Sequence, residues 1–395
     1  MTGSVSKQQI PVNGQDRRWI KGKEAVWWSV SGNATLPRIG PLVLHLVLMS
    51  QPNVMGDLKE RVAHGMCAMA YPPGFLVIPM RSAAVHPFST TNLLVFDPPR
   101  ENTAGKVHEM YLAKDAVGVP PVSAMDRSQS NNGVLTEVNG DCLVVDPGAM
   151  PGIAQQQLAT IINALEGQLL VFLTHHHRDH VEGLSIIEQH KPEALVLGHK
   201  ETLRRIGNVG RKLVKHCVGR GTSITIRNET LLVVPAAGHT IGHLALFHVP
   251  TRILVAGDHC TGEGTILLDD RSGGDMEDYG NTTIMFMDLQ ARVLIPMHGQ
   301  PSFCPGVMLR MYRKHPIDRE SRILSAIRRG ANTVYTIVAD AYADTPVPRW
   351  PSAGRNVLLH VKLLHKKERL PEASERAVKV CLYFDVCILV NFWLS

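Results

Sequence analysis

Residues 174–180 read Thr-His-His-His-Arg-Asp-His, so four metal-ligating side chains, His175, His177, Asp179 and His180, fall within six residues. Imidazole nitrogen and carboxylate oxygen are the ligands of hydrolytic zinc, manganese or iron centres, because they suit borderline metals and leave a coordination position for water. His175 and His177 stand two apart at the end of an apolar run. They converge on one ion where the chain bends after Thr174, and Asp179 and His180, beyond the bend, then face a second. His176 lies between two metal-facing neighbours; it should project the other way along a strand and be structural. His199, His216 and His248 read as ordinary surface or core histidines.

A histidine triplet is a weak sign unless distant partners of the right type accompany it. Three later segments qualify. Gly238-His239-Thr240 follows the apolar run Leu231 to Val234, Gly257-Asp258 follows Ile253 to Ala256, and Met297-His298-Gly299 follows Val293 to Ile295. Each is a short apolar run, a turn with a neighbouring glycine, and a side chain able to bind metal.

The elements that must position these residues are short. Asp141 to Val145 is an apolar run that closes on Asp146-Pro147-Gly148, and Leu169 to Leu173 is a β-rich run that ends in the histidines. Ala194 to Leu197, Ser223 to Ile226 and Leu244 to His248 read as further strands, whereas Leu158 to Leu165 and Leu184 to His190 have helical spacing. Many strands with interspersed helices and chemistry at strand ends describe a layered α/β fold with two sheets.

The order H-x-H-x-D-H, G-H-T-x-G-H, G-D and H-G resembles that of the metallo-β-lactamase superfamily, from about Gly133 to about Pro301, and Asp146-Pro147-Gly148 is similar to the turn that precedes its metal run. The resemblance implies a four-layer αββα sandwich and two divalent metal ions, zinc foremost. His175, His177 and His239 would hold one ion and Asp179, His180 and His298 the other, with Asp258 bridging. The two ions would activate a bridging water, which Asp179 would also orient. Tyr279 and His243 are further candidates for contacting substrate or protonating the leaving group, each equally readable as a packed residue.

After Pro305 the sequence turns helical: Arg319 to Arg328, then Val334 to Tyr342 with Thr333 as N-cap, then Arg355 to Leu364. Three short helices with a basic last one resemble a helix-turn-helix or winged-helix module, with a plain structural appendage as the alternative. Together with Arg313 to Glu320 and Met276 to Tyr279, they resemble the lactamase-β-like protein 2 family. Its members carry a winged-helix-like C-terminal domain, and the animal protein is a mitochondrial endoribonuclease acting on single strands.

The expected layout is therefore an N-terminal region of unassigned function over 1–106, a catalytic domain over 107–304, a winged-helix-like domain over 305–372, and an atypical apolar tail over 373–395. Nothing in the first hundred residues carries a catalytic motif, and no glutamate-rich Nudix box is present there. The tail's run Cys381 to Trp393 is interrupted by Asp385 and Asn391, and is shorter than the about 17–25 residues of a spanning helix, so no membrane partner is expected.

Two substrate classes remain, and the first expectation is cleavage of phosphodiester bonds in single-stranded RNA. Between Met308 and Glu372 there are thirteen Lys/Arg against six Asp/Glu in a chain of net charge +6, and Arg355, Lys362, Lys366 and Lys367 could neutralise phosphates of single-stranded RNA. Conspicuous aromatic stacking residues are lacking, however. The alternative is an ester or small acyl thioester, because Gly238-His239-Thr240-Ile241-Gly242-His243 is similar to the corresponding stretch of glyoxalase II. Seven cysteines, odd in number and widely spaced, with no apolar h-region in the first thirty residues, point to a reducing intracellular setting, cytoplasmic or mitochondrial. Oligomeric state is not legible.

Overall fold

The structure, a computed structural model, describes residues 68–71, 74–85, 87–99, 136–262 and 266–371. The apolar tail 373–395 lies outside these residues, as do most of the first hundred.

Two sheets form the centre. The first has seven strands in the order β1 (Met69–Tyr71), β2 (Phe75–Arg81), β3 (Thr90–Phe96), β5 (Cys142–Val145), β6 (Leu169–Phe172), β7 (Leu195–Gly198) and β8 (Val214–Cys217). The second has six, in the order β13 (Val293–Pro296), β12 (Ile253–Gly257), β11 (Leu244–His248), β10 (Glu229–Pro235), β9 (Thr222–Ile226) and β4 (Thr136–Gly140). Helices α1 (Ile153–Ala164), α2 (Arg178–Val181), α3 (Leu184–His190) and α4 (Lys200–Arg205) connect the parallel strands β5 to β8. Helix α5 (Met276–Asp288) joins β12 to its parallel neighbour β13.

The period-two alternation of strand side chains explains the layering. On β5, Leu143 and Val145 face the second sheet, whereas Cys142 and Val144 face Leu158, Ile161 and Ile162 of α1. On β12, Ile253 and Val255 face the first sheet, and Leu254 and Ala256 pack with Phe286 of α5. Each strand is buried on both faces, which is why it reads as a continuous apolar run. The result is the expected αββα sandwich.

The N-terminal boundary differs from expectation. Residues 68–99 are not a separate region: β2 and β3 pair as antiparallel neighbours, and β3 pairs with β5 through Leu94 and Val145. Gly74 precedes β2 and Pro98 follows β3.

The C-terminal helices are α6 (Pro305–Arg328), α7 (Val334–Ala341) and α8 (Trp350–Lys366). Thr333 caps α7 as expected, in a reciprocal capping box with Thr336. Helix α6 is longer than its expected core because Pro305 at its first position starts it and Pro316 is accommodated inside it. These helices share an apolar centre of Ile323, Val338, Val357 and Leu364, but Leu309 and Tyr312 of α6 and Leu359 of α8 pack against the second sheet's outer layer. Among the described residues no strand follows β13, so the hairpin that would make a wing is not found there. No helix among them is long and apolar enough to cross a membrane.

Candidate metal centre

The expected ligands lie beyond the C-terminal ends of strands, five of them in turns and two, Asp179 and His180, on the short helix α2. The histidine run leaves β6, His239 follows β10, Asp258 follows β12 and His298 follows β13. Three glycines permit the close approach. Gly148 lies so near the carbonyl of Asp179 that an added Cβ would collide with its oxygen. Gly238 has φ +136° and abuts the backbone of Tyr279, and Gly257 has φ +58°, facing the ring of His243.

The first triad is tight. His175 Nε2 lies 2.9 Å from His177 Nδ1, and His239 Nε2 lies 3.1 Å from the same atom. In the second triad His298 Nε2 is 3.2 Å, and His180 Nε2 3.5 Å, from Asp179 Oδ2. One atom, Asp258 Oδ2, faces both sets: it lies 3.8 Å from His239, 4.0 Å from His175, 3.4 Å from His298 and 3.5 Å from His180, each measured to Nε2. Ligands of a tetrahedral ion with bonds of about 2.0–2.1 Å stand about 3.3 Å apart, so these separations fit two adjacent cations.

The far side of each ring is occupied. His180 Nδ1 bonds Asp146 at 2.8 Å, His177 Nε2 bonds Asp269 at 3.0 Å, and His175 Nδ1 lies 3.0 Å from Thr174 Oγ1. His239 Nδ1 and His298 Nδ1 donate to the carbonyls of Leu267 and Thr90, each at 2.8 Å. Such contacts fix which nitrogen carries the proton and leave the inward nitrogen with a lone pair. Inward, His180 Nε2 and Asp258 Oδ1 are buried without a hydrogen-bond partner, as expected of atoms shaped for a cation.

Charge balance gives the same result. Burial, with His180, His177 and His239 nearby, pushes His175 well below its ordinary value, and burial takes His239 down to about 3, so both rings are neutral, the form that can bind a metal. Burial also opposes charge on His298 and Asp258. There mutual attraction wins: Asp258, with hydrogen bonds to Asp179 and Asp258, pushes His298 up to about 10, and His298 and His180 hold Asp258 well below the carboxylate range. The two carboxylates require positive charge in their midst, from protons or from cations.

Tyr279 and His243, candidates for contacting substrate or protonating the leaving group and equally readable as packed residues, are both buried. His243 is buried, its Nδ1 donating to the carbonyl of Ala236 and its Nε2 accepting the backbone N–H of Asp258, both at 3.0 Å. Both nitrogens are used, which makes it a positioning residue for Asp258. Tyr279 is buried, stacks on His259 with centroids 4.4 Å apart, and donates its hydroxyl to the carbonyl of His259 at 3.0 Å. His176 points away from both triads and bonds Ser272 Oγ at 2.9 Å, while His248 bonds Glu229 and Thr251 in the core.

Two supporting residues were not singled out as site residues. Asp146, at φ +49°, receives Thr174 N and Oγ1 at 2.8 and 2.6 Å besides His180; its signal was the Asp-Pro-Gly turn. Asp269 carried no local signal, because its role depends on a loop 92 residues beyond His177 in the chain.

Comparisons with known proteins agree with this geometry. A family model described as the metallo-beta-lactamase superfamily matches residues 125–298. Proteins named hydroxyacylglutathione hydrolase from Salmonella paratyphi B and Salmonella newport are 35% identical over 121 residues, which is 30% of this chain and 42% of each relative. The chain thus spans less than half the length of these curated relatives. Among solved structures, a metallo-beta-lactamase family protein from Thermus thermophilus superposes with a TM-score of 0.53 at 17% identity, covering 75% of this chain and 94% of that one. A beta-lactamase domain protein from Burkholderia ambifaria gives 0.53 at 16%, covering 76% and 90%. At such identities the likeness concerns the fold alone. Over residues 125–298 the chain thus matches the metallo-β-lactamase superfamily in family model and order of motifs, within a sandwich of the same fold.

Proposed function

We propose that the chain is a hydrolase dependent on two divalent cations, zinc foremost, and that acyl thioesters are its substrate class. The observation that carries the metal reading is the position of Asp258 Oδ2, 3.4–4.0 Å from four imidazole nitrogens belonging to two triads. His175, His177 and His239 would hold one cation and Asp179, His180 and His298 the other, with Asp258 available to both. When bound, such a pair supplies Lewis acidity at the scissile group and lowers the pKa of water toward neutrality.

The chain's own contribution is positional. Asp179 accepts a hydrogen bond from the attacking water and aims it, and His243 fixes Asp258 by capturing its backbone N–H. Because the nitrogens of His243 and the hydroxyl of Tyr279 are engaged, neither supplies a proton to a leaving group. A thiolate, whose parent thiol has a pKa of about 8.5, leaves without that help more readily than an alkoxide does. The similarity to proteins named hydroxyacylglutathione hydrolase supports the same class.

Cleavage of single-stranded RNA is the second reading, favoured by the thirteen Lys/Arg against six Asp/Glu between Met308 and Glu372 and by the resemblance to the lactamase-β-like protein 2 family. Two of the cations expected to meet phosphates are already engaged: Arg355 faces Asp270 and Lys366 bonds Glu277. Metal analysis paired with turnover of an acylglutathione thioester and of short single-stranded RNA decides between them. Metal-dependent thioester turnover that is insensitive to salt is the expected result. Cleavage of RNA alone, with affinity falling steeply as salt rises, would replace the thioester reading by the second.

A further inference from the structure

Helix α8 carries Arg355, Leu359 and Lys366 on one stripe, spaced four and seven residues apart, and this stripe faces the back of the metal centre. Leu359 is buried with Phe286 of α5 in the second sheet's outer layer. Lys366 Nζ bonds Glu277 Oε2 in the first turn of α5 at 2.5 Å. At the other end Arg355 Nε stands 3.6 Å from Asp270 Oδ1, with side-chain exposures of 25% and 15%. That oxygen is buried and has no hydrogen-bond partner, so the guanidinium charge is what compensates it.

Asp270 opens a single 3-10 turn, Asp270–Ser272, and this turn backs the histidine run. Its N-cap, Asp269, holds His177 Nε2 with Oδ2 while Oδ1 accepts the N–H of Arg271 at 3.2 Å. Its last residue, Ser272, bonds His176 Nε2. The same loop accepts His239 Nδ1 through the carbonyl of Leu267, and Asp269 N donates to the carbonyl of His239 at 2.9 Å. Two ligands of the first triad are therefore held from behind by one loop, and α8 holds that loop.

We propose that Arg355 is a positioning residue for the first cation: by neutralising Asp270 it keeps the turn in the place from which Asp269 orients His177. The inference rests on the metal reading above. It makes the C-terminal helices a working part of the centre and gives Arg355 a task inside the protein in place of a phosphate contact. Lys366, clamped on α5, secures the other end of the same helix.

Zinc affinity of the full chain, read by competition with a chromophoric chelator, tests this when paired with the unfolding midpoint of the chelator-stripped protein. The wild type should hold two equivalents. Arg355→Met and Asp270→Asn should each release one equivalent about tenfold more readily, at the lower end of the range for outer partners of metal ligands. The double variant should be no worse than either single one, Arg355→Lys should recover most of the affinity, and stripped Asp270→Asn, which leaves no buried charge uncompensated, should unfold at the wild-type midpoint. Asp270→Asn, which removes charge with little change of shape, carries the test where Arg355→Met fails to fold. Wild-type zinc affinity in these variants overturns the proposal, as does zinc loss that follows a lowered midpoint and is not recovered by lysine. A wild-type chain that holds no zinc would instead overturn the metal reading itself.

Discussion

The Nε2 atom of His243 accepts the backbone N–H of Asp258 at 3.0 Å, and the opposite nitrogen of the same ring donates to the carbonyl of Ala236. The imidazole is thereby fixed in one tautomer, and burial takes its pKa down to about 3, so the ring stays neutral. His243→Ala should leave the Asp258 amide buried without an acceptor, which costs about 1–3 kcal/mol. The expected result is a lower unfolding midpoint for the stripped protein together with weaker metal retention. Unchanged stability and metal content, with only turnover reduced, would return His243 to the role of proton donor.

Asp258 Oδ2 faces two histidines of each triad. Asp258→Ala should abolish turnover and bring bound metal below two equivalents per chain. Elemental analysis of the purified variant beside the wild type reads this directly, and full metal content with full rate would refute the bridging assignment.

Asp146 supports the second triad through His180 and the strand end through Thr174. Asp146→Asn keeps a side chain that tolerates the observed positive φ but loses the charge on which His180 leans. Metal affinity at the second site should fall by about 10–100-fold, and by more than at the first, which Asp146 reaches only through Thr174. Chelator titration, with the two equivalents leaving in separate phases, is the measurement.

Among the C-terminal helices, the hydrogen bond from Arg322 and the neighbouring Arg319 hold Asp344 down to about 2, against an ordinary 3.8. A depressed carboxylate contributes stability above its unfolded pKa and loses it as pH falls through the folded one. The difference in unfolding free energy between wild type and Asp344→Asn should therefore be present at pH 6 and vanish near pH 2. Because the pair is half-exposed, its size should be at most about 1 kcal/mol. A difference that persists unchanged at pH 2 would mean that another interaction is responsible.

Much of this protein follows from local pattern. Strand ends at His175, His239, Asp258 and His298 are legible because each strand contains a short apolar run, and the turns at His239, Asp258 and His298 carry a neighbouring glycine. The type and order of the seven candidate ligands are likewise sequence properties. What pairs with what was decided only by tertiary packing. That residues 68–99 complete the first sheet, that His243 and Tyr279 spend their polar atoms on backbone groups, and that Asp269 stands behind His177 all depend on contacts between segments far apart in the chain. Local periodicity records which face of an element is buried. It contains no information about the partner on that face, and here the partner determines whether an imidazole meets a cation, a carbonyl or an amide.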